Sequence, residues 1–180
     1  MILFNTDKKK SSSNADVGTS CTVSSETNED DCCTPQPKGK EPCPVCGKRA
    51  KGVLTKTVEH LLTLRAKLRL SCLEGFYYCK TSTCDVVYFR DGEILTQTDL
   101  SVVVGLKEGA VPATVCYCFE WTKEKIKAEL EQTGETTALE NIKAKMVSPG
   151  CSCEILNPSG GCCLGDTGKA IKEIKEELAL

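Results

Sequence analysis

At 180 residues the chain can hold one medium domain or two small ones, and with only 5% aromatic residues a single large apolar core is disfavoured. A net charge of −2 leaves no electrostatic footprint for nucleic acid or an acidic membrane surface. A single histidine, His60, removes most acid–base chemistry near neutral pH, so no enzyme is expected.

Fourteen cysteines stand out, many of them in Cys-x-x-Cys, Cys-x-Cys and Cys-Cys groups. A secreted disulfide framework would explain such a count, but Met1-Ile2-Leu3-Phe4 is too short for a signal sequence and runs at once into Asp7 and Lys8 to Lys10. Nor does any apolar run approach the length of a membrane span. The expectation is a soluble, cytoplasmic protein in a reducing compartment, with no membrane insertion, whose cysteines bind metal.

In chain order, residues 1–41 are rich in Ser, Thr, Asn, Asp and Lys and lack apolar periodicity, which predicts a disordered tail. Cys21, Cys32 and Cys33 lie in it. The simpler reading is solvent-facing thiols; the sharper one makes Cys32 and Cys33 an accessory site for a soft ion such as Cu(I). Residues 42–110 form the first predicted module. It opens on Cys43-Pro-Val-Cys46-Gly47, a zinc knuckle in which two thiolates converge on one ion and Gly permits the tight bend. Its second half is Cys79 and Cys84, set between Gly75-Phe-Tyr-Tyr78 and Asp85-Val-Val-Tyr-Phe89. These flanks read as two strands joined by a cysteine-bearing turn. Asp91-Gly92 marks a further hairpin into Glu93-Ile94-Leu95. Four thiolates with no water position describe a closed structural zinc site at Cys43, Cys46, Cys79 and Cys84; the rival is a redox-active or iron-binding pair. Thr57 is the predicted cap of a short helix over Val58–Leu64, with His60 on its surface and Cys72 a buried small hydrophobe beyond it. Leu100–Leu106 reads as a buried strand or short helix, and Lys107–Thr114 as a linker.

Residues 111–180 form the second predicted module, a helical one. Val115-Cys116-Tyr117-Cys118 places two thiols before an amphipathic segment, where a helix start would favour negative charge. Thr122 caps a helix ending at Gly134, and Thr136 or Thr137 starts a second, stopped by Pro149-Gly150. Asp166 or Thr167 caps a third, with Ala170, Ile171, Ile174 and Leu178 on its inner face. The loop between, Cys151–Cys163, carries Cys151, Cys153, Cys162 and Cys163 and little regular pattern. Gly165-Asp-Thr-Gly168-Lys169-Ala170 lacks the spacing of a phosphate-binding loop. A [2Fe–2S] cluster needs two protein ligands per iron, and Cys116 with Cys118 makes one clamp. Four cysteines compete for the other, so spacing leaves several pairings open, a second zinc site among them.

Val-Cys-Tyr-Cys, followed by Cys-Glu-x-x-Asn-Pro-x-Gly-x-Cys-Cys-Leu, resembles the iron–sulfur half of the amino-terminal part of archaeal CopZ-type copper chaperones, which is itself similar to bacterioferritin-associated ferredoxin. The knuckle and the Phe76-Tyr-Tyr-Cys79 and Cys84-Asp-Val-Val-Tyr-Phe89 segments resemble that family's zinc module, so the likeness spans roughly residues 42–180. It implies an α+β fold, a zinc-stapled β-hairpin/helix module followed by a helical [2Fe–2S]-binding module. It implies cluster ligands Cys116, Cys118, Cys153 and Cys163, with Cys151 and Cys162 left as alternative or accessory metal thiols. Full-length members carry a Met-x-Cys-x-x-Cys copper loop; this chain has only Met1 and Met146 and no such loop. The implied function is one-electron transfer supporting copper or other soft-metal handling, with a copper-handling or other redox or metal-transport protein as partner. The alternative is a non-redox scaffold, store or sensor that binds Cu(I) or zinc through its cysteines.

Overall fold

The computed structural model describes residues 37–180. The proposed Cys32–Cys33 accessory site, Cys21 and most of the predicted tail lie outside the described residues. The first module is built on a five-stranded antiparallel sheet in sequence order: β1 (Lys40–Pro42), β2 (Arg49–Gly52), β3 (Tyr77–Tyr78), β4 (Val86–Arg90) and β5 (Glu93–Thr96). It is larger than the hairpin expected. The tail was predicted to run to residue 41, yet Lys40-Glu41-Pro42 pairs with Arg49 to Lys51. Nothing in those three residues favours a strand; the hairpin closing around the knuckle recruits them.

Between β2 and β3 lie two short helices, α1 (Thr55–Leu61) and α2 (Leu64–Arg69). The predicted helix over Val58–Leu64 therefore starts earlier and breaks at Leu62–Thr63. Thr63 caps α2 by accepting from the Ala66 N–H, whereas Thr57 caps nothing and lies fully buried inside α1. His60 is exposed on α1, as expected of a surface histidine. Cys72 is half-buried instead of sealed in the core, and it is not one of the free thiols. Val53, Val58, Leu62, Phe76, Val87 and Tyr88 lead the main core of this module.

Leu100–Leu106 is neither strand nor helix. Its backbone is satisfied by side chains instead, which removes the need for a regular ladder. The Gln97 amide donates to the Val102 carbonyl (2.7 Å) and accepts from the Val104 N–H (2.7 Å). The Tyr117 hydroxyl accepts from the Gly105 N–H (2.9 Å) and donates to the Val103 carbonyl (3.2 Å). This buried, irregular stretch packs Val104 into the core of the first module while holding Tyr117 of the second.

The second module has a two-stranded ribbon, β6 (Thr114–Cys116) and β7 (Trp121–Thr122), and helices α3 (Lys123–Thr133), α4 (Ala138–Val147), α5 (Cys153–Leu156) and α6 (Leu164–Glu177). Helix α3 obeys its local signals: Thr122 accepts from the Lys125 N–H, and Gly134 ends it in a left-handed turn at φ 74°. Helix α4 starts at Ala138 through a non-local cap, because the Glu129 carboxylate of α3 accepts from the Thr137 N–H (2.8 Å) and the Thr136 hydroxyl (2.6 Å). Helix α6 begins earlier than expected, with Cys163 at its N-cap; Asp166 is in its first turn and Thr167 on its buried face. Ile126, Leu130, Ala138, Ala170 and Ile174 join α3, α4 and α6. Among the described residues no helix is long and apolar enough to cross a membrane.

Replacing Gln97 by Ala removes its two contacts to the irregular stretch and leaves the part-buried Val104 N–H and Val102 carbonyl without that partner. The expected cost is about 2 kcal/mol, read as a lower denaturant midpoint of the metal-loaded chain with zinc content unchanged.

Candidate metal centres

The first centre follows from two turns brought face to face. In the knuckle, the Gly47 N–H donates to the Cys43 carbonyl (2.8 Å) and the Cys43 N–H to the Lys48 carbonyl (2.9 Å), with Gly47 at φ 68°. Opposite, the Cys79 N–H pairs with the Val87 carbonyl and the Cys84 N–H with the Thr81 carbonyl, which closes the β3–β4 turn. Strand pairing then carries Cys43, Cys46, Cys79 and Cys84 into one group whose sulfurs all lie within 4.8 Å of one another. Cys43 Sγ is 4.0 Å from Cys84 Sγ, and Cys46 Sγ is 3.7 Å from Cys79 Sγ. Four sulfurs at about 2.3 Å around one tetrahedral ion stand about 3.8 Å apart, so both donor type and spacing fit zinc. Ala50, Val86 and Phe89 enclose the group on its protein side.

The electrostatics of this quartet are uneven. Cys46, the least buried member, has its thiol pulled down to about 6, chiefly by the Thr81 hydroxyl 3.3 Å away. Cys84 is pushed up to about 12 and Cys79 is raised, both chiefly by burial. Lys107, which from sequence belongs only to a linker, places its ammonium on the carbonyls of Cys79 (2.9 Å), Thr81 (3.0 Å) and Val86 (2.6 Å). One positive charge thus sits against a turn that would carry thiolates. No sequence signal marks it, since the contact spans more than twenty residues.

The second group gathers Cys116 and Cys118 from the β6–β7 ribbon, Cys153 at the start of α5 and Cys163 at the N-cap of α6. Cys118 Sγ pairs with Cys153 Sγ at 3.7 Å, and the Cys116 thiol hydrogen-bonds with that of Cys163. Each of these contacts joins one cysteine of the ribbon to one from the segment that follows α4. Among the described residues, no three sulfurs of this set converge within 4.8 Å, unlike the first quartet. Nor do Cys116 and Cys118 sit at a helix start, since α3 begins only at Lys123; Cys163 occupies that electrostatic position, on α6. Within the Cys116–Cys163 pair, Cys116 is drawn down to about 7 by its thiol partner, while Cys163 is raised by that same contact and by burial.

Cys151 and Cys162, expected as accessory thiols, are both exposed beside this group. Cys118 and Phe119 are both half-buried against this group, and the Lys145 ammonium stands 5.7 Å from the centre of the Phe119 ring.

A compact zinc-type thiolate quartet on an antiparallel sheet, followed by a helical unit with its own buried thiols, defines a cysteine-rich metal-binding protein. Comparison with known proteins supplies the family. Residues 40–101 match the zf_CopZ family, described as a zinc binding domain. The copper chaperone CopZ of Archaeoglobus fulgidus is 31% identical over 146 residues, a match covering 76% of this chain and 69% of that protein. The X-ray structure of the Archaeoglobus fulgidus CopZ N-terminal domain superposes with a TM-score of 0.61 at 31% identity, over 72% of this chain and 96% of that one. This chain belongs to the CopZ family.

In the metal-free chain, alkylation by iodoacetamide should mark Cys46 fastest of the first quartet, with half-maximal rate near pH 6: the reactive thiolate is present above that pH and lost below it. Thr81→Val should move this inflection upward, as mass mapping across a pH series will show.

Proposed function

We propose that the chain is a cysteine-based metal-binding protein of copper handling, in which Cys43, Cys46, Cys79 and Cys84 hold a structural zinc ion and Cys116, Cys118, Cys153 and Cys163 form the working centre. The observation that carries this reading is the presence of two separate buried thiol sets of different geometry, in a chain similar to a copper chaperone. A closed four-thiolate site has no open position for chemistry and stabilises a small fold outright. Each set has three buried cysteines and one half-buried one, Cys46 or Cys118, but the second is flanked by the exposed thiols of Cys151 and Cys162, where a soft cargo ion such as Cu(I) could be received. The natural partner is a protein that donates or accepts copper.

A second reading is favoured by the paired sulfurs: Cys118 with Cys153, and Cys116 with Cys163, would each hold one iron of a [2Fe–2S] cluster. When bound, such a cluster supplies one-electron chemistry. The residues of this chain would bury it on the Ile142 side, leave its Cys118 edge near solvent, and set Lys145 beside it. An electron leaving by that edge would serve to reduce a metal ion or a partner.

Metal analysis of anaerobically prepared protein separates these readings. One zinc per chain that survives Cys116→Ser but is lost in Cys43→Ser supports the structural assignment. About two irons per chain, with an EPR signal on reduction, selects the electron-transfer reading; a colourless chain binding zinc or Cu(I) at the second set selects the non-redox one. Cys163→Ser should abolish metal at the second set, whereas Cys162→Ser should retain most of it.

A further inference from the structure

The loop that carries Cys153 and leads to Cys163 does not hold its shape alone. Inside it, Asn157 accepts from the Ser159 N–H and hydroxyl (both 3.1 Å) and donates to the Gly161 carbonyl (2.8 Å). What seats it on the rest of the molecule is a set of groups from the first module. Thr57, fully buried on α1, donates its hydroxyl to the Glu154 carbonyl, and Lys56 stands 3.9 Å from the Glu154 carboxylate. Tyr88, fully buried on β4, donates its hydroxyl to the Pro158 carbonyl at 2.7 Å. Gly160 lies so close to α1 that a Cβ there would come within 3.1 Å of the Thr57 hydroxyl and 3.3 Å of Val53.

Both hydroxyls reach about seventy or more residues along the chain to a carbonyl in the cysteine loop. Strand β4 begins just after Cys84, and its Val86 and Phe89 pack against the first quartet while Val87 and Tyr88 enter the main core. The strand that leaves the zinc-type site is therefore the one that fixes Pro158.

We propose that Tyr88 and Thr57 are positioning residues for the second centre: the first module is a mould that holds Cys153 at the distance from Cys118 that metal binding requires. This rests on the reading that Cys116, Cys118, Cys153 and Cys163 hold metal. Each hydroxyl bond is one buried side-chain contact to a carbonyl with few alternatives. Removing both oxygens while keeping the packing frees the loop without emptying the core.

The test uses the full chain carrying Tyr88→Phe and Thr57→Val together, with Thr57→Ser beside Tyr88 as the conservative control. Loaded protein is challenged with a chelator, and metal release from each centre is followed separately. The double variant should release metal from the second centre about tenfold faster with zinc release unchanged, and the Ser control should behave as wild type. In metal-free protein, Cys153 alkylation should rise relative to Cys43. Equal acceleration at both centres would reduce the effect to general destabilisation and overturn the proposal, as would no change at either. If the double variant does not fold, Tyr88→Phe alone carries the same comparison. If wild-type protein holds no metal at the second set, the functional reading fails, while the Cys153 alkylation ratio still decides whether Tyr88 and Thr57 position the loop.

Discussion

The structure depends on one convergence: the knuckle at Cys43 and Cys46 meeting the β3–β4 turn at Cys79 and Cys84. Four sulfurs this close cannot all ionise without a cation between them, because like charges a few ångströms apart in a partly buried site repel strongly. Burial raises Cys84 while the Thr81 hydroxyl lowers Cys46, so the thiols of the quartet do not ionise together. A bound divalent cation removes the conflict and couples metal affinity to folding. The short strands that flank the quartet lean on this staple. Strand β1 has no strand propensity of its own, and β3 is two residues long.

The same staple reaches the second centre through packing. Lys107 grips the β3–β4 turn from the start of the connecting stretch, and Tyr117 pins that stretch from the other side. Tyr88 and Thr57 then seat the cysteine loop. The hydroxyls of Tyr88, Thr57 and Tyr117 therefore tie the two modules to each other.

The knuckle, the β3–β4 and β4–β5 hairpins and the ends of α3 could be read from the sequence because each depends on residues within a few positions: Cys43 to Gly47, Asp91-Gly92, and Thr122 with Gly134. The cysteines of the first group could be named for the same reason, whereas spacing left Cys151, Cys153, Cys162 and Cys163 open and only the family resemblance chose among them. What could not be read depends on partners far away in the chain. Gln97 satisfies the backbone of 102–104, so an apolar run that suggests a strand stays irregular. Helix α4 is capped by Glu129 of its neighbour, and Thr57 looks like a cap yet serves a carbonyl almost a hundred residues on. Cys118 lies beside Cys153, and Cys116 meets Cys163, because those cysteines approach from other elements, which no local spacing reveals.

The central claim is that the chain carries two separate thiol sets, the first gathered closely enough to hold a single structural ion. X-ray absorption at the zinc edge of anaerobically prepared protein and its variants tests it most directly. The expected result is zinc with four sulfur neighbours at about 2.3 Å, kept in Cys116→Ser and lost in Cys43→Ser. Zinc kept in Cys43→Ser and lost in Cys116→Ser would contradict it.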